Sequence, residues 1–156
     1  MNIHISRIFR VLALAAALVA GSLNTLPAVT ADQEKAFVDA YKKAFETKDN
    51  ATLTSFFYTE GADPMALEFY TMMATAEMGT EISSITLEDL TAEDVKKAGE
   101  TMDGPTGQMK LPLQPVKKLV IKIEKKDSNG SSSSSSESFV AESEGRLVIP
   151  VPVPVK

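Results

Sequence analysis

Few residue types that perform chemistry occur in this chain. Its 156 residues include one histidine, His4, and contain neither cysteine nor tryptophan. Ser–His and Cys–His nucleophile pairs and most zinc sites need histidine or cysteine side chains. His4 also lies in an N-terminal segment with the character of a leader. The sequence therefore predicts no catalytic residue of these classes, no metal site and no cofactor.

The remaining candidates for acid–base chemistry are two carboxylates, Asp63 and Glu77, and the tyrosines Tyr41, Tyr58 and Tyr70. A carboxylate acts as a general base near neutral pH only when burial or a like charge raises its pKa. Simpler roles also fit these residues. Asp63 precedes Pro64 as a helix cap would, Glu77 suits a solvated or ion-paired helix position, and the tyrosines suit the rim of a core.

Methionines are concentrated in one predicted helix, at positions 65, 72, 73 and 78. Methionine is flexible and polarisable, and methionine-rich faces can line adaptable apolar pockets. If this helix borders a pocket, we expect Tyr58, Tyr70 and Met73 to line it and to bind an apolar ligand. The same methionines could instead fill an ordinary core.

The first 31 residues have the layout of a secretory signal peptide. Arg7 and Arg10 precede an uncharged apolar run of ten residues, Val11–Ala20, and small residues follow at Val29–Ala31. A membrane-spanning helix needs roughly 20 apolar residues, so this run favours cleavage over anchoring. We expect cleavage after Ala31, no stable membrane insertion afterwards, and a secreted or periplasmic protein.

Residues 32–156 are then expected to form a single domain without disulfides. The chain has 16 Lys and Arg against 21 Asp and Glu, a net charge of −5. Removal of Arg7 and Arg10 with the leader makes the remainder more acidic. Nucleic-acid binding depends on clustered Lys and Arg, so this charge balance argues against it.

Local patterns predict three helices in the first half of the domain. Apolar pairs recur every four residues from Ala36 to Phe45, which predicts an amphipathic helix over Gln33–Lys48. Asp32 is its expected N-cap, and Thr30 with Gln33 is a candidate capping box. A short second helix is expected over Ala51–Tyr58. Asp63 and Pro64 begin a third, Met65–Met78, whose apolar circumference predicts burial by several neighbours.

The second half reads mainly as β-structure. We predict a strand over Ile82–Leu87, a short helix over Ala92–Ala98 begun by Thr91 and Asp94, and a loop over residues 99–115. Apolar residues then alternate with charged ones at Leu119, Ile121 and Ile123, which predicts a half-buried strand. Two further strands flank Glu144–Gly145, and the final Pro–Val repeat favours an edge strand or an extended tail.

Six consecutive serines, Ser131–Ser136, lie between these strands. Serine-rich segments are typical of flexible linkers, so the sequence predicts a polar hairpin loop over residues 127–137. The complete pattern is an α+β fold in which N-terminal helices pack on a curved antiparallel sheet.

Four features share an arrangement with a known superfamily: the aromatic helix Ala36–Phe45, the turn Lys48–Asn50, the apolar residues of Leu53–Phe57 and the late hairpin Glu142–Ile149. In outline, residues 32–151 resemble the NTF2-like superfamily. The resemblance implies an NTF2-like cone or roll. Secreted members often carry a tryptophan in the last strand, which this chain lacks. Members include enzymes and binding modules, so the resemblance does not select a function.

Three functions remain open at this point. The missing catalytic residue types favour a secreted, non-enzymatic domain that binds a small apolar ligand or a partner protein. One alternative is an isomerase- or dehydratase-like enzyme that uses a carboxylate and a tyrosine. The other is a structural or interaction protein that forms a homodimer through its sheet.

Overall fold

The computed structural model describes residues 29–104, 106–127 and 130–155. The predicted signal peptide lies outside the described residues except at positions 29–31. The fold is α+β, as expected, and its elements are α1 (Ala31–Glu46), α2 (Asn50–Thr54), β1 (Phe57–Tyr58), α3 (Pro64–Thr75), β2 (Ser84–Glu88), α4 (Ala92–Gly99), β3 (Met102–Gly104), β4 (Gly107–Lys110), β5 (Pro115–Asp127), β6 (Gly130–Ser143), β7 (Arg146–Pro150) and β8 (Val153–Pro154).

These strands form two sheets. The larger has the order β1-β7-β6-β5-β2, and the smaller has the order β3-β4-β8. Neighbouring strands are antiparallel except β1 and β7, which are parallel. The long β5–β6 hairpin is the centre of the larger sheet, and Leu119, Ile121 and Ile123 of β5 share the core with the aromatic residues of α1.

Helix α1 buries one aromatic stripe against this sheet. Phe37, Tyr41, Ala44 and Phe45 are buried, as the four-residue spacing predicts. The capping box is confirmed: the Gln33 N–H donates to Thr30 Oγ1 at 3.2 Å, and the Thr30 N–H donates to Gln33 Oε1 at 2.8 Å. The N-cap is therefore Thr30, and the prediction of Asp32 was wrong.

The start of α1 bears on the expected cleavage point. Val29 packs against the core, and Thr30 supplies the cap. A chain beginning at Asp32 would lack both contacts. The position of cleavage therefore affects the start of α1, and cleavage after Ala31 stays a prediction.

The second predicted helix is shorter than expected. Helix α2 ends at Thr54, and Phe57 and Tyr58 form strand β1 instead of a helical turn. The Ile149 N–H donates to the Phe56 carbonyl at 2.7 Å, and the Val151 N–H donates to the Tyr58 carbonyl at 3.1 Å. Pairing with β7 thus overrides the local helical pattern.

The segment interpreted as a loop contains the β3–β4 hairpin. Met102, Asp103 and Gly104 pair with Met109, Gln108 and Gly107. Met109 is buried, and a methyl group on Gly104 would lie within 1.9 Å of its sulfur. This close approach explains the glycine, which the sequence pattern alone marks as a loop signal.

The serine run is a strand, and the prediction of a flexible loop was wrong. Ser131–Ser136 pair in register with residues 121–126 of β5. Serine has weak intrinsic preference for strands, but tertiary pairing with an apolar partner strand overrides such preferences. The connection between β5 and β6 is therefore short, and its residues 128 and 129 lie outside the described part of the chain.

Helix α3 is far more exposed than its composition predicts. Only Ala66 is buried, whereas Met65, Phe69, Met72 and Met73 are 55, 54, 57 and 58 % exposed. The expected burial by several neighbours was wrong, because the sheet covers only one side of this helix. Its apolar outer surface is a feature of the folded domain.

Candidate functional site

The candidate site lies on the inner face of the β5–β6 hairpin, which we define as the face carrying Leu119, Ile121 and Ile123. These three side chains are buried together with the aromatic residues of α1. Helix α3 passes over the same face. The outer face carries the alternate residues of each strand, because successive side chains of a strand point to opposite faces.

A mismatch between the two strands leaves this inner face unfilled. Leu119 lies opposite Ser138, Ile121 opposite Ser136 and Ile123 opposite Ser134. Residues directly opposite in an antiparallel pair share one face of the sheet. One strand therefore offers large apolar side chains, while its neighbour offers only hydroxymethyl groups.

The result is a cleft of about 350 Å³ between α3 and the hairpin. We call it the main cleft. Its volume falls at the lower end of the range for small-molecule sites, ≈ 300–1,000 Å³. The walls come from α3, β5 and β6, through Tyr70 and Met73, Leu119 and Ile121, and Ser136 and Ser138.

A second groove of about 490 Å³ adjoins the main cleft. Phe69, Tyr70 and Met102 line both spaces, and Met65 and Met109 line the groove alone. The exposed Met65 and Phe69 of α3 thus border an open, mostly apolar depression. A ligand longer than the main cleft could extend along it.

Tyrosine hydroxyl groups supply polarity inside the main cleft. Tyr41 and Tyr70 both line it, and neither hydroxyl forms a hydrogen bond with another described residue. Burial raises the pKa of Tyr41 to about 12 and also raises the pKa of Tyr70. Both phenols are therefore neutral near pH 7, and each can donate or accept a hydrogen bond.

Asp63 is buried, but it serves the backbone and not the cleft. Its Oδ1 accepts from the N–H groups of Met65 and Ala66 at 2.9 and 3.0 Å, and its Oδ2 accepts from the Thr106 hydroxyl at 2.7 Å. These bonds, with that from Thr106 the largest, lower the pKa of Asp63. The cap interpretation is confirmed, and the carboxylate additionally ties α3 to the β3–β4 hairpin.

Glu77 is held in place by two partners. It accepts from the Ser134 hydroxyl at 2.7 Å and from Lys125 Nζ at 2.9 Å. The Ser134 bond is the largest cause of its lowered pKa, followed by the bond from Lys125. A lowered pKa is opposite to what a general acid or base working near neutral pH needs.

The remaining carboxylate beside the main cleft is Glu137, whose Oε2 lies 3.5 Å from Lys118 Nζ. Lys118 also lies 3.3 Å from Asp94 and is on the outer face of the sheet. The polar groups that the main cleft presents are thus mainly hydroxyls.

The structure brings together two of the three residues predicted to line a pocket. Tyr70 and Met73 both line the main cleft. Tyr58 lies on β1, lines neither space, and donates its hydroxyl to Glu60 at 2.5 Å. The parallel pairing of β1 with β7 places Tyr58 in the sheet, so the structure does not bring it together with Tyr70 and Met73.

The local sequence pattern did not predict that Ser136 and Ser138 line the inner face. A signal for them existed. Strand β6 carries serine at every position from 131 to 136 and again at 138, so only serines lie opposite the large apolar residues that alternate through β5 at positions 119, 121 and 123. The signal is visible only once the two strands are known to pair.

Within residues 29–104, 106–127 and 130–155, no helix is long and apolar enough to cross a membrane. The same described ranges contain no cluster of three or more acidic or histidine side chains arranged to hold a metal ion.

Comparison with known proteins adds no relative. No protein-family model matches the chain, and no curated protein or solved structure matches it significantly. The resemblance to the NTF2-like superfamily therefore stays a prediction.

Proposed function

We propose that this protein is a secreted, non-enzymatic binding domain whose main cleft takes a small, largely apolar ligand. The observation that carries the proposal is the unfilled inner face, where Leu119 and Ile121 lie opposite serines. A concave, mostly apolar cleft with a few polar groups is the usual form of a small-molecule site, which supports a ligand of that kind here.

The lining also indicates the ligand's chemistry. Most of the wall is aliphatic, aromatic or thioether surface, which favours an apolar body. The free hydroxyls of Tyr41 and Tyr70 can bond one hydroxyl, carbonyl or carboxyl group of that ligand. Because Asp63 and Glu77 are occupied and have lowered pKa values, no observation favours the alternative of a carboxylate–tyrosine enzyme.

Dye binding tests the proposal with matched variants of adjacent serines. Ser136→Ile fills the inner face, whereas Ser135→Ile places the same side chain on the outer face. Isoleucine suits a strand at either position. We expect the neutral fluorescent dye N-phenylnaphthylamine to bind the unmodified protein and the outer-face variant within about threefold of each other.

For Ser136→Ile, we expect the dissociation constant of the dye to rise at least about tenfold. Circular dichroism and a urea titration of each variant show that the fold is retained. Equal binding by both variants, or no binding by the unmodified protein, would overturn the proposal. Native mass spectrometry of the protein purified after expression of the full chain then reports any ligand that it carries.

A further inference from the structure

Strand β6 has a long unpaired edge. It pairs with β5 from Gly130 to Ala141, but β7 covers only Ala141–Ser143 on its other side. Among the described residues, no other backbone group bonds to positions 130–140. Residues 130–137 of this otherwise central strand are all exposed, and their backbone is open on one side.

The register identifies which backbone groups point outward from this edge. The Lys122 carbonyl accepts from the Ser83 N–H, and the Glu124 N–H donates to Ser83 Oγ. The backbone N–H and C=O groups of even-numbered β5 residues therefore point toward β2. Those of odd-numbered β5 residues point toward β6 and lie opposite its even-numbered residues. The N–H and C=O groups of β6 residues 131, 133, 135 and 137 consequently point to the open side.

This edge lacks the features that usually prevent strand pairing. Natural edge strands carry lysines, prolines or bulges that block a further strand. Residues 130–140 contain neither lysine nor proline, and their only charged side chain is Glu137. Serine side chains are small and uncharged, so they leave the backbone accessible.

We propose that a second copy of this chain pairs with this edge, antiparallel, about a two-fold axis through Ser134. In this register Ser131 lies opposite the second copy's Glu137, and Ser133 lies opposite its Ser135. Four facing pairs with two hydrogen bonds each give about eight bonds across the seam. The even-numbered side chains of both copies remain on one common face.

Charge favours a second copy at this edge. The two Glu137 side chains lie about 20 Å apart along the seam, since six residues of strand separate them, so no like charges face each other. If an extended acidic peptide paired with this edge instead, its charges would be repelled by Glu137 and by a chain that is acidic overall.

Apolar surface on the same side of the sheet strengthens the pairing. Met73 of α3 lies across a recess from Ser134–Ser136 and is 58 % exposed. A two-fold axis perpendicular to the sheet leaves the α3 helices of both copies on one side of the joined sheet. The exposed Met73 of each copy thus lies beside the seam, where burial in the dimer removes it from water.

Sedimentation equilibrium of the protein expressed as the full chain measures the association. We expect a dimer at about 100 µM, the range in which a moderate interface is half assembled or better. Ser133→Lys with Ser135→Lys opposes like charges twice across the seam, and we expect its dissociation constant to rise at least about tenfold.

A charge-paired variant at the same two positions is the control. Ser133→Lys with Ser135→Glu places opposite charges across the seam, so we expect its dissociation constant to fall within about threefold of the unmodified value. Both variants alter the same two exposed positions, so unfolding would not explain a difference between their dissociation constants. Recovery in the charge-paired variant alone confirms the register.

A monomer at that concentration, or equal association of the two double variants, would overturn the proposal. Capture of a different extended chain at this edge, with no self-association, would overturn it as well. This proposal does not depend on the main cleft, because the altered side chains lie on the outer face. Dye binding by the charge-paired and like-charge variants separates the two proposals.

Discussion

Helices α1 and α3 cover the same inner face, but they bury very different shares of their apolar side chains. Helix α1 confines its aromatic residues to one stripe, and that stripe is buried. Helix α3 carries apolar residues around most of its circumference, and several stay more than half exposed. A helix that lies on one sheet with no further layer above it can bury only one side.

The difference assigns different roles to the two helices. Helix α1 closes the core through stacked and edge-on contacts among Phe37, Tyr41 and Phe56. Helix α3 forms a wall of the main cleft and of the adjoining groove. The more apolar helix is therefore the one that contributes less to the core and more to the candidate binding surface.

The largest expected difference in stability is between substitutions of one phenylalanine in α1 and one in α3. Phe45→Ala removes a buried ring and should lower the free energy of unfolding by about 3–5 kcal/mol, as core aromatic truncations do. Phe69→Ala removes a half-exposed ring and should cost less than about 1 kcal/mol. Urea titrations measure both values, provided that the slope of the free energy of unfolding against urea concentration is the same in each protein.

If Phe45→Ala leaves too little folded protein, Phe45→Leu keeps most of the volume and should cost under about 1.5 kcal/mol. Equal losses at positions 45 and 69 would contradict the comparison, since they would mean that α3 is covered in solution.

A smaller effect is expected at the start of α1. Thr30→Ala removes the capping bond and should lower the free energy of unfolding by about 1 kcal/mol. Asp32→Ala, at the cap position expected from the sequence, should change it by less than about 0.5 kcal/mol. Thermal unfolding of the purified protein gives both values, and N-terminal sequencing shows where the chain begins.

A purified chain that begins at Asp32, with a stability that neither substitution changes, would confirm the cleavage point expected from the sequence. A chain that retains Val29 and Thr30 but tolerates Thr30→Ala would contradict the capping geometry.

The contribution of Asp63 to the stability of the α3 start should depend on pH. Hydrogen bonds from Thr106 and from the Ala66 and Met65 N–H groups lower the folded-state pKa of Asp63 below 3.8. Its contribution to stability is therefore complete above pH 3.8 and is lost as the pH falls through the lower, folded-state pKa. We expect the stability gap between the unmodified protein and Asp63→Asn to narrow below that pH.

Melting temperatures measured from neutral pH down to about pH 2 test this expectation. Glu77 also has a lowered pKa, so it contributes to acid unfolding in both proteins and cancels in the difference. A stability difference between the two proteins that stays constant over this pH range would show that the charge of Asp63 does not stabilise the start of α3.

The smallest effect is expected on the outer side of α3. Met72→Gln alters a side chain that is 57 % exposed and should change stability by less than about 0.5 kcal/mol. Ala66→Gln on the buried side of the same helix should destabilise by about 1–3 kcal/mol through overpacking. Urea midpoints for this pair measure the asymmetry within one helix, and similar losses at both positions would refute it.

Local signals in the sequence predicted the parts of the fold that depend on neighbours in the chain. The capping boxes of Thr30–Gln33 and Thr91–Asp94 and the Asp63–Pro64 start are all confirmed. The turn at Glu144–Gly145 also lies between two paired strands. Each needs only residues within one turn of chain, so composition and spacing suffice.

Features that depend on distant partners were missed. The serine strand takes its conformation from β5, and β1 takes its conformation from β7, 92 positions away in the Phe57–Ile149 pairing. The candidate site divides in the same way. Tyr70 and Met73 lie on a helix whose existence was predictable, whereas Ser136 and Ser138 line the cleft only because of a long-range register.

The C-terminal segment has a consequence for the order in which the protein can fold. Val151 bonds to Tyr58, the Pro152 carbonyl accepts from the Asp63 N–H, and Val153 and Pro154 pair with β4. These residues connect the larger sheet, the start of α3 and the smaller sheet. A nascent chain that has not yet been synthesised as far as β8 lacks these connections. The two sheets can therefore be joined in this way only after residues 151–154 have been added.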